Sequence, residues 1–167
     1  MRFPYSSSTE KPLFLVSNTE QDGLNVDNDN GKSINVIRKF SGRGSLVWGA
    51  RTLAGNSSEW RYISVRRFFC FAEDAIQKAL HQFVFESNNE RTWVKMKGML
   101  ISFLAEQWRD GALVGSKMED AFFVNIGRET TSETEINNGI INIQIGMAVA
   151  KPAEFIILNF AHKVSIS

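Results

Sequence analysis

Two stretches of the chain carry apolar residues at helical spacing. Across Arg67 to Phe85, the residues Phe68, Ala72, Ala75, Ile76, Ala79 and Phe83 recur at steps of three and four. In the next stretch Trp93, Met96, Leu100, Phe103, Leu104 and Trp108 line one face, while Lys95, Lys97, Glu106 and Arg109 face elsewhere. Asn88 or Asn89 supplies the side-chain oxygen that caps this second helix, and Gly111 and Gly115 close it. The two stripes predict a pair of helices near Arg67–Phe85 and Asn89–Arg109. They pack on a sheet through Phe68, Ile76, Trp93, Leu100 and Leu104.

The remaining pattern is shorter in range. Leu13 to Val16 reads as a short strand, and Asp27-Asn28-Asp29-Asn30-Gly31 is turn chemistry. Residues 1–32 therefore read as a connector, or the remnant of an upstream region, entering a domain that runs from 33 to 167. Ser33 is placed to cap a short helix from Ile34 to Phe40, stopped by Ser41-Gly42-Arg43-Gly44. Ser45 to Thr52 and Tyr62 to Arg66 read as strands around a polar loop, Leu53 to Glu59. Ala121 to Ile126 is a buried strand. Ser132-Glu133-Thr134-Glu135 matches a capping box, in which serine and glutamate satisfy each other's orphan amides, and it predicts one or two helical turns ending at Asn138-Gly139. Ile140 to Val149 alternates in part and reads as a strand, which Pro152 interrupts because proline cannot donate to a ladder. Phe155 to Val164 is a last long strand, apolar on both faces from Phe155 to Phe160. The class is α+β, two main helices on a mixed β-sheet.

A length of 167 residues suffices for one domain with its own core. The 13 Phe and 4 Trp, against 2 Tyr, are apolar material suited to a core or a permanent interface. Charge adds an exclusion: 19 basic against 18 acidic residues leave +1, without the basic excess of a general nucleic-acid binder. A single cysteine, Cys70, rules out an internal disulfide and fits a reducing compartment. Its setting, Phe68-Phe69-Cys70-Phe71, reads as a buried and inert thiol. No apolar run approaches the roughly 20 residues of a membrane helix, and the N-terminus lacks the continuous apolar core of a signal peptide.

Candidate chemistry is thin. Gly42-Arg43-Gly44 lacks the Gly-Lys-Ser/Thr ending of a phosphate loop and precedes a strand, so it reads as a turn. The Asp27 loop resembles a calcium loop but has Lys39 and Phe40 where the bidentate glutamate belongs. Arg61, Arg66 and Arg67 with Trp60 and Tyr62 offer cations beside aromatic rings, which suits base stacking, but the cluster is short and reads rather as ion pairing within or between subunits. Cys70, His81 and His162 are far apart in sequence, no serine stands in a nucleophile elbow, and no metal spacing of histidines or cysteines exists. No catalytic, cofactor-binding or metal-binding residue is assigned.

Four motifs in a fixed order carry a resemblance. They are Gly42-Arg43-Gly44-Ser45-Leu46-Val47-Trp48-Gly49-Ala50-Arg51-Thr52 with Glu59-Trp60-Arg61-Tyr62-Ile63-Ser64-Val65-Arg66-Arg67, then Trp108-Arg109-Asp110-Gly111-Ala112-Leu113, then Ala121-Phe122-Phe123-Val124, then Gly146-Met147-Ala148-Val149-Ala150-Lys151-Pro152-Ala153-Glu154-Phe155. Together they resemble the C-terminal domain of contractile-tail sheath proteins of phages, pyocin-like particles and extracellular contractile injection systems. The wording around Leu24-Asn25-Val26-Asp27 and Gly31-Lys32-Ser33-Ile34 is closer to the injection-system branch. Such sheath proteins carry an N-terminal arm and outer domains ahead of this region, where this chain has residues 1–32.

The resemblance implies a structural subunit rather than an enzyme. It polymerises helically around an inner tube and contracts to drive the tube through a target envelope. The implied partners are other sheath subunits, the inner tube protein, and baseplate and terminator proteins, with no nucleic acid and no membrane insertion. The implied place is the bacterial cytoplasm during assembly, then a released phage-like or injection particle. Two sites follow from the same resemblance. Ser132, Glu133 and Glu135 sit on the helix that faces the tube. Phe155, Ile157, Phe160, His162 and Val164 belong to the strand and arm that pair with a neighbour's sheet by β-augmentation. The competing class is a small soluble α+β enzyme or ligand-binding domain, which would show a pocket holding perturbed acids or bases.

Overall fold

The computed structural model describes residues 12–27 and 29–153. Its elements follow the chain as α1 (Asn18–Asn25), β1 (Val36–Phe40), β2 (Gly44–Trp48), α2 (Ile63–Leu80), α3 (Glu90–Arg109), α4 (Met118–Ala121), β3 (Phe122–Ile126), α5 (Glu133–Asn137) and β4 (Ile143–Met147). A 3-10 turn, His81–Phe83, follows α2. The class is α+β, and the described strands form two antiparallel pairs, β1 with β2 and β3 with β4. The strand expected from Phe155 to Val164, with Phe155, Ile157, Phe160, His162 and Val164, lies outside the described residues.

The core is built on α3. Trp93, Met96, Leu100 and Leu104 recur every three or four residues and form one buried stripe, in which Leu100 and Leu104 are 1% and 0% exposed. The stripe meets β3, where Phe122, Val124 and Ile126 point inward and Phe123 points out, as the two-residue period of a strand requires. β4 runs alongside with Val124 opposite Ile145 and adds Ile143, Ile145 and Met147 to the cluster. Phe68, Ile76 and Leu80 of α2 pack against the same cluster. Each fully buried large apolar side chain contributes about 1.5–3 kcal/mol relative to exposure, so this stripe is the main source of stability. Asn89 is the cap of α3, its side chain accepting from Thr92 N at 3.2 Å. Gly111 ends the helix in the left-handed conformation, φ 77°.

Several local expectations fail, each for an identifiable reason. Ser33 caps no helix, and Ile34 to Phe40 is not helical. Val36–Phe40 is a strand whose residues alternate in burial and pair with Gly44–Trp48. The glycines that read as a helix stop instead make the hairpin turn, with Gly42 and Gly44 at φ 72° and 76°. Ser33 is buried beneath Gly55, and its hydroxyl has no hydrogen-bond partner. The strand expected to reach Thr52 ends at Trp48, and only Arg51 makes a further bridge, to Tyr62. Tyr62 to Arg66 is likewise no strand, because α2 starts at Ile63. The apolar phase of α2 extends back through Val65, which is buried.

Leu13 to Val16 forms no strand, and Leu13, Phe14 and Leu15 are exposed. The chain next forms α1, opened by a second capping box: Ser17 Oγ accepts from Glu20 N, and Glu20 accepts from Ser17 N at 2.8 Å. Cys70 is exposed, not buried. It stands two residues before buried Ala72, about 200° around the helix at 100° per residue, and so on the opposite side.

Candidate functional site

α5 is a short helix whose position is set by many polar contacts for its length. Ser132 Oγ accepts from Glu135 N, and Glu135 Oε2 accepts from Ser132 N at 2.8 Å and from Ser132 Oγ at 2.7 Å. The other carboxylate oxygen accepts from Asn142 Nδ2 at 2.9 Å. The hydroxyl of Ser132, then its backbone amide, then Asn142, hold the Glu135 carboxyl below the ordinary carboxylate range, since each bond favours the charged form. On the far side of the loop, Thr130 Oγ1 donates to Asn142 O at 2.7 Å and Thr131 Oγ1 accepts from Asn142 N at 2.9 Å. Gly139, at φ 77°, lets the chain leave the helix.

The two glutamates of α5 therefore differ in kind. Glu135 spends one oxygen on the cap and the other on Asn142. Glu133 faces solvent, with its side chain 83% exposed, and among the described residues its ion-pair partner is Arg128, itself 65% exposed, at 3.0 Å. A pair this open contributes about 0–1 kcal/mol and exchanges readily for another partner. Of the three residues expected on this helix, Ser132 and Glu135 shape it and Glu133 is presented outward. Glu129 is also exposed.

The sequence offers Asn88 only as a possible cap of α3, and the structure gives it another role. Asn88 Nδ2 donates to Ile136 O at 3.1 Å and to Ile140 O at 3.1 Å, and Asn88 Oδ1 accepts from Trp93 Nε1 at 2.8 Å. The available signal was the doubled asparagine ahead of α3. A cap needs one, and Asn89 is that one.

The other candidate groups are engaged within the chain. Arg61 Nε donates to Gly55 O at 2.9 Å. The Arg66 guanidinium lies 5.0 Å from the centre of the Trp60 ring, and Trp60 meets Phe69 edge-on at 5.0 Å. Within the chain these two cations use a carbonyl and an aromatic face. Glu20 and Asp27, held below the ordinary carboxylate range chiefly by local backbone hydrogen bonds, serve a cap and a turn. His81 is exposed at the end of α2. A groove of about 630 Å³ runs beside β4, lined largely by Trp60, Val65, Phe69, Val114, Met147 and Val149. Among the described residues no group of three or more His, Cys, Asp and Glu is placed to hold a metal ion. No described helix is long and apolar enough to cross a membrane.

Comparison with known proteins follows the same lines. A chain in the cryo-EM structure of the anti-feeding prophage (AFP) baseplate is 46% identical, with a TM-score of 0.82, over 91% of this chain and 41% of that one. A chain in the PVC sheath complex, an extracellular contractile injection system in the contracted state, is 42% identical, with a TM-score of 0.84, over 92% of this chain and 42% of that one. A chain in the contracted helical sheath of AFP is 46% identical, with a TM-score of 0.79, over 90% of this chain and 41% of that one. The chain thus spans about two fifths of the length of these relatives. No curated protein matches it. Residues 56–163 match the phage tail sheath C-terminal domain, and the chain belongs to that family.

Proposed function

We propose that the chain is the inner domain of a contractile sheath subunit, a structural protein that polymerises helically around an inner tube and contracts to drive the tube through a target envelope. The observation that carries this reading is the shared fold and sequence, over nearly all of this chain, with sheath chains of two contractile injection systems. Other sheath subunits, the tube, the baseplate and the terminator are its partners. The particle assembles in the bacterial cytoplasm and is then released. Residues 1–32 are the connector into the domain or the remnant of an upstream region, with α1 tied to β2 through Gln21 and Trp48 O.

In this reading α5 faces the tube and Glu133 is its charged contact. Support comes from the geometry of the helix. A carboxylate that is exposed and only loosely paired can meet a basic strip, and many weak pairs around each ring hold an extended sheath yet release on expansion. The strand and arm, Phe155, Ile157, Phe160, His162 and Val164, pair with a neighbour. Support for that contact is the β3–β4 ladder: it has two strands among the described residues, so its outer edges have no strand partner there.

The test is electron microscopy of the protein, with any upstream sequence of its gene, co-expressed with its tube. Glu133→Lys is expected to abolish sheath on tube while sparing the fold, because Glu133 takes no part in the cap. Normal tube-filled sheaths from that variant would remove α5 from the tube interface.

A further inference from the structure

The polar contacts around Asn142 are internal to the segment 127–142. They fix the shape of the α5 loop but not its orientation against the helical layer. Side-chain burial joins the two, since Ile136 packs against the core and Gly127 lies near the Trp93 ring. Burial is non-directional, so it allows rotation and sliding. Asn88 adds direction. Its amide spans 48 and 52 residues of sequence to reach two carbonyls, one in the last turn of α5 and one just beyond Gly139. Ile136 O already accepts from Gly139 N at 3.0 Å, so the Asn88 amide is a further donor to it, and a carbonyl's second lone pair has room for that donor. The same amide is anchored through its oxygen to the indole of Trp93, a core residue in the first turns of α3.

We infer that Asn88 is the positioning residue of α5: it locks the angle of that helix to α3, and with it the direction in which Glu133 is presented. When the domain turns during contraction, α5 turns with it as one body, so every acidic contact on the tube leaves its partner together. This inference rests on the reading of α5 as the docking helix, and the experiment separates the two.

Asn88→Asp keeps the side-chain volume and the acceptor for Trp93 but removes both donors, and Asn88→Ala removes the whole link. Hydrogen exchange is read on the isolated chain at the amides of Asn138, Gly139 and Ile140, with the amides of α3 as the internal standard. Tube-filled and empty sheaths are counted by electron microscopy. Both variants are expected to speed exchange at the end of α5 by about tenfold or more, the loss of one to two hydrogen bonds, with α3 unchanged. Tube-filled sheaths are expected to fall by a similar factor while sheath–sheath polymerisation persists. If Asn88→Ala does not fold, the isosteric Asn88→Asp decides. Unchanged exchange in α5, or faster exchange with normal tube docking, overturns the inference. Normal docking of Glu133→Lys beside faster exchange in the Asn88 variants would instead overturn the docking reading and leave the Asn88 link standing as a structural tie.

Discussion

The half of the molecule from α3 to β4 and the part from α1 to Tyr62 are held together by different means. The first surrounds Leu100 and Leu104 with Phe122, Val124 and Ile126 in a buried cluster, although Val94, Val114, Phe123 and Ile140 stay exposed. The second leaves Ile34, Ile37, Val47, Trp48 and Leu53 exposed. Its joints are polar. Asn35 brackets the backbone of Arg51, accepting from its N–H at 3.1 Å and donating to its C=O at 2.8 Å. Gln21 donates to Trp48 O at 3.2 Å, Ile34 N to Leu24 O at 2.8 Å, and Thr52 Oγ1 to Trp60 O at 2.7 Å. A region held by burial is read from its period and broken by cavities. A region held by backbone clamps shows no period and is broken by removing single donors or acceptors.

The largest expected effect tests the first half of that statement. Leu104→Ala and Leu100→Ala should each cost about 2–5 kcal/mol, the lost transfer energy plus a cavity at a site that cannot collapse. Ile37→Ala, on an exposed face of the hairpin, should cost well under half as much. Urea denaturation of the three variants gives the comparison, and equal losses would mean that the hairpin is buried after all.

Second in size is Asn35→Ala. It removes no apolar area, yet it takes one hydrogen-bond partner from the amide and one from the carbonyl of Arg51, a residue that is itself buried. The expected cost is about 1–3 kcal/mol, for two bonds lost at a buried site. Gly55→Ala should act at the same joint, since its new methyl would collide with Ser33 Oγ and press on Gly31 O at 3.0 Å. If Asn35→Ala melts like the parent protein, the clamp is ornamental and the contrast between the regions fails.

The same contrast explains what was legible in the sequence. α2, α3 and β3 showed their apolar stripes, and Ser132 with Glu135 showed a capping box, because each signal is local and each element buries one face. β1 was missed because Ile34 to Phe40 has no long stripe, and a glycine turn after a short apolar run suits a helix end as well as a hairpin. α2 lost its first turn because Ile63-Ser64-Val65 is β-branched in part, and tertiary burial of Val65 overrode that preference. Ser17-x-x-Glu20 carried the same signature as Ser132-x-x-Glu135 and would have placed α1. At α5, the capping box in the sequence already sets Glu135 on the cap and leaves Glu133 outside it. What the sequence does not show is that Asn142, seven residues from Glu135, holds its second oxygen, or that Asn88 ties the helix end from another segment.

The two capping boxes give a smaller effect, one in each region. Glu20 and Glu135 both have folded values held below the ordinary 4.5. A depressed carboxylate contributes stability above its unfolded value and loses it as pH falls through the lower folded value. Acid should therefore loosen α1 and α5 in the range below about pH 4.5, while the α3 core, which has no such group in its stripe, holds. Carboxyl NMR titrations should place both midpoints below 4.5. Ser17→Ala and Ser132→Ala should each move their own partner's midpoint upward and leave the other alone. Midpoints that do not respond to the serine changes would show that the caps do not form in solution.

The smallest expected effect is a gain, at Phe85 in the joint between α2 and α3. Phe85 adopts a left-handed backbone, φ 73°, with its ring fully exposed. For an L-residue with a Cβ that conformation costs about 1–2 kcal/mol, and the ring recovers nothing by burial. Phe85→Asn keeps the backbone and suits it better, because asparagine visits this region with help from local hydrogen bonds. It should raise stability by roughly 0.5–1 kcal/mol. Phe85→Gly removes the same strain but frees the unfolded chain, so its gain should be smaller. The order Asn above Gly above Phe in urea midpoints is the expected result. A parent protein more stable than both variants would mean that the Phe85 ring makes a stabilising contact.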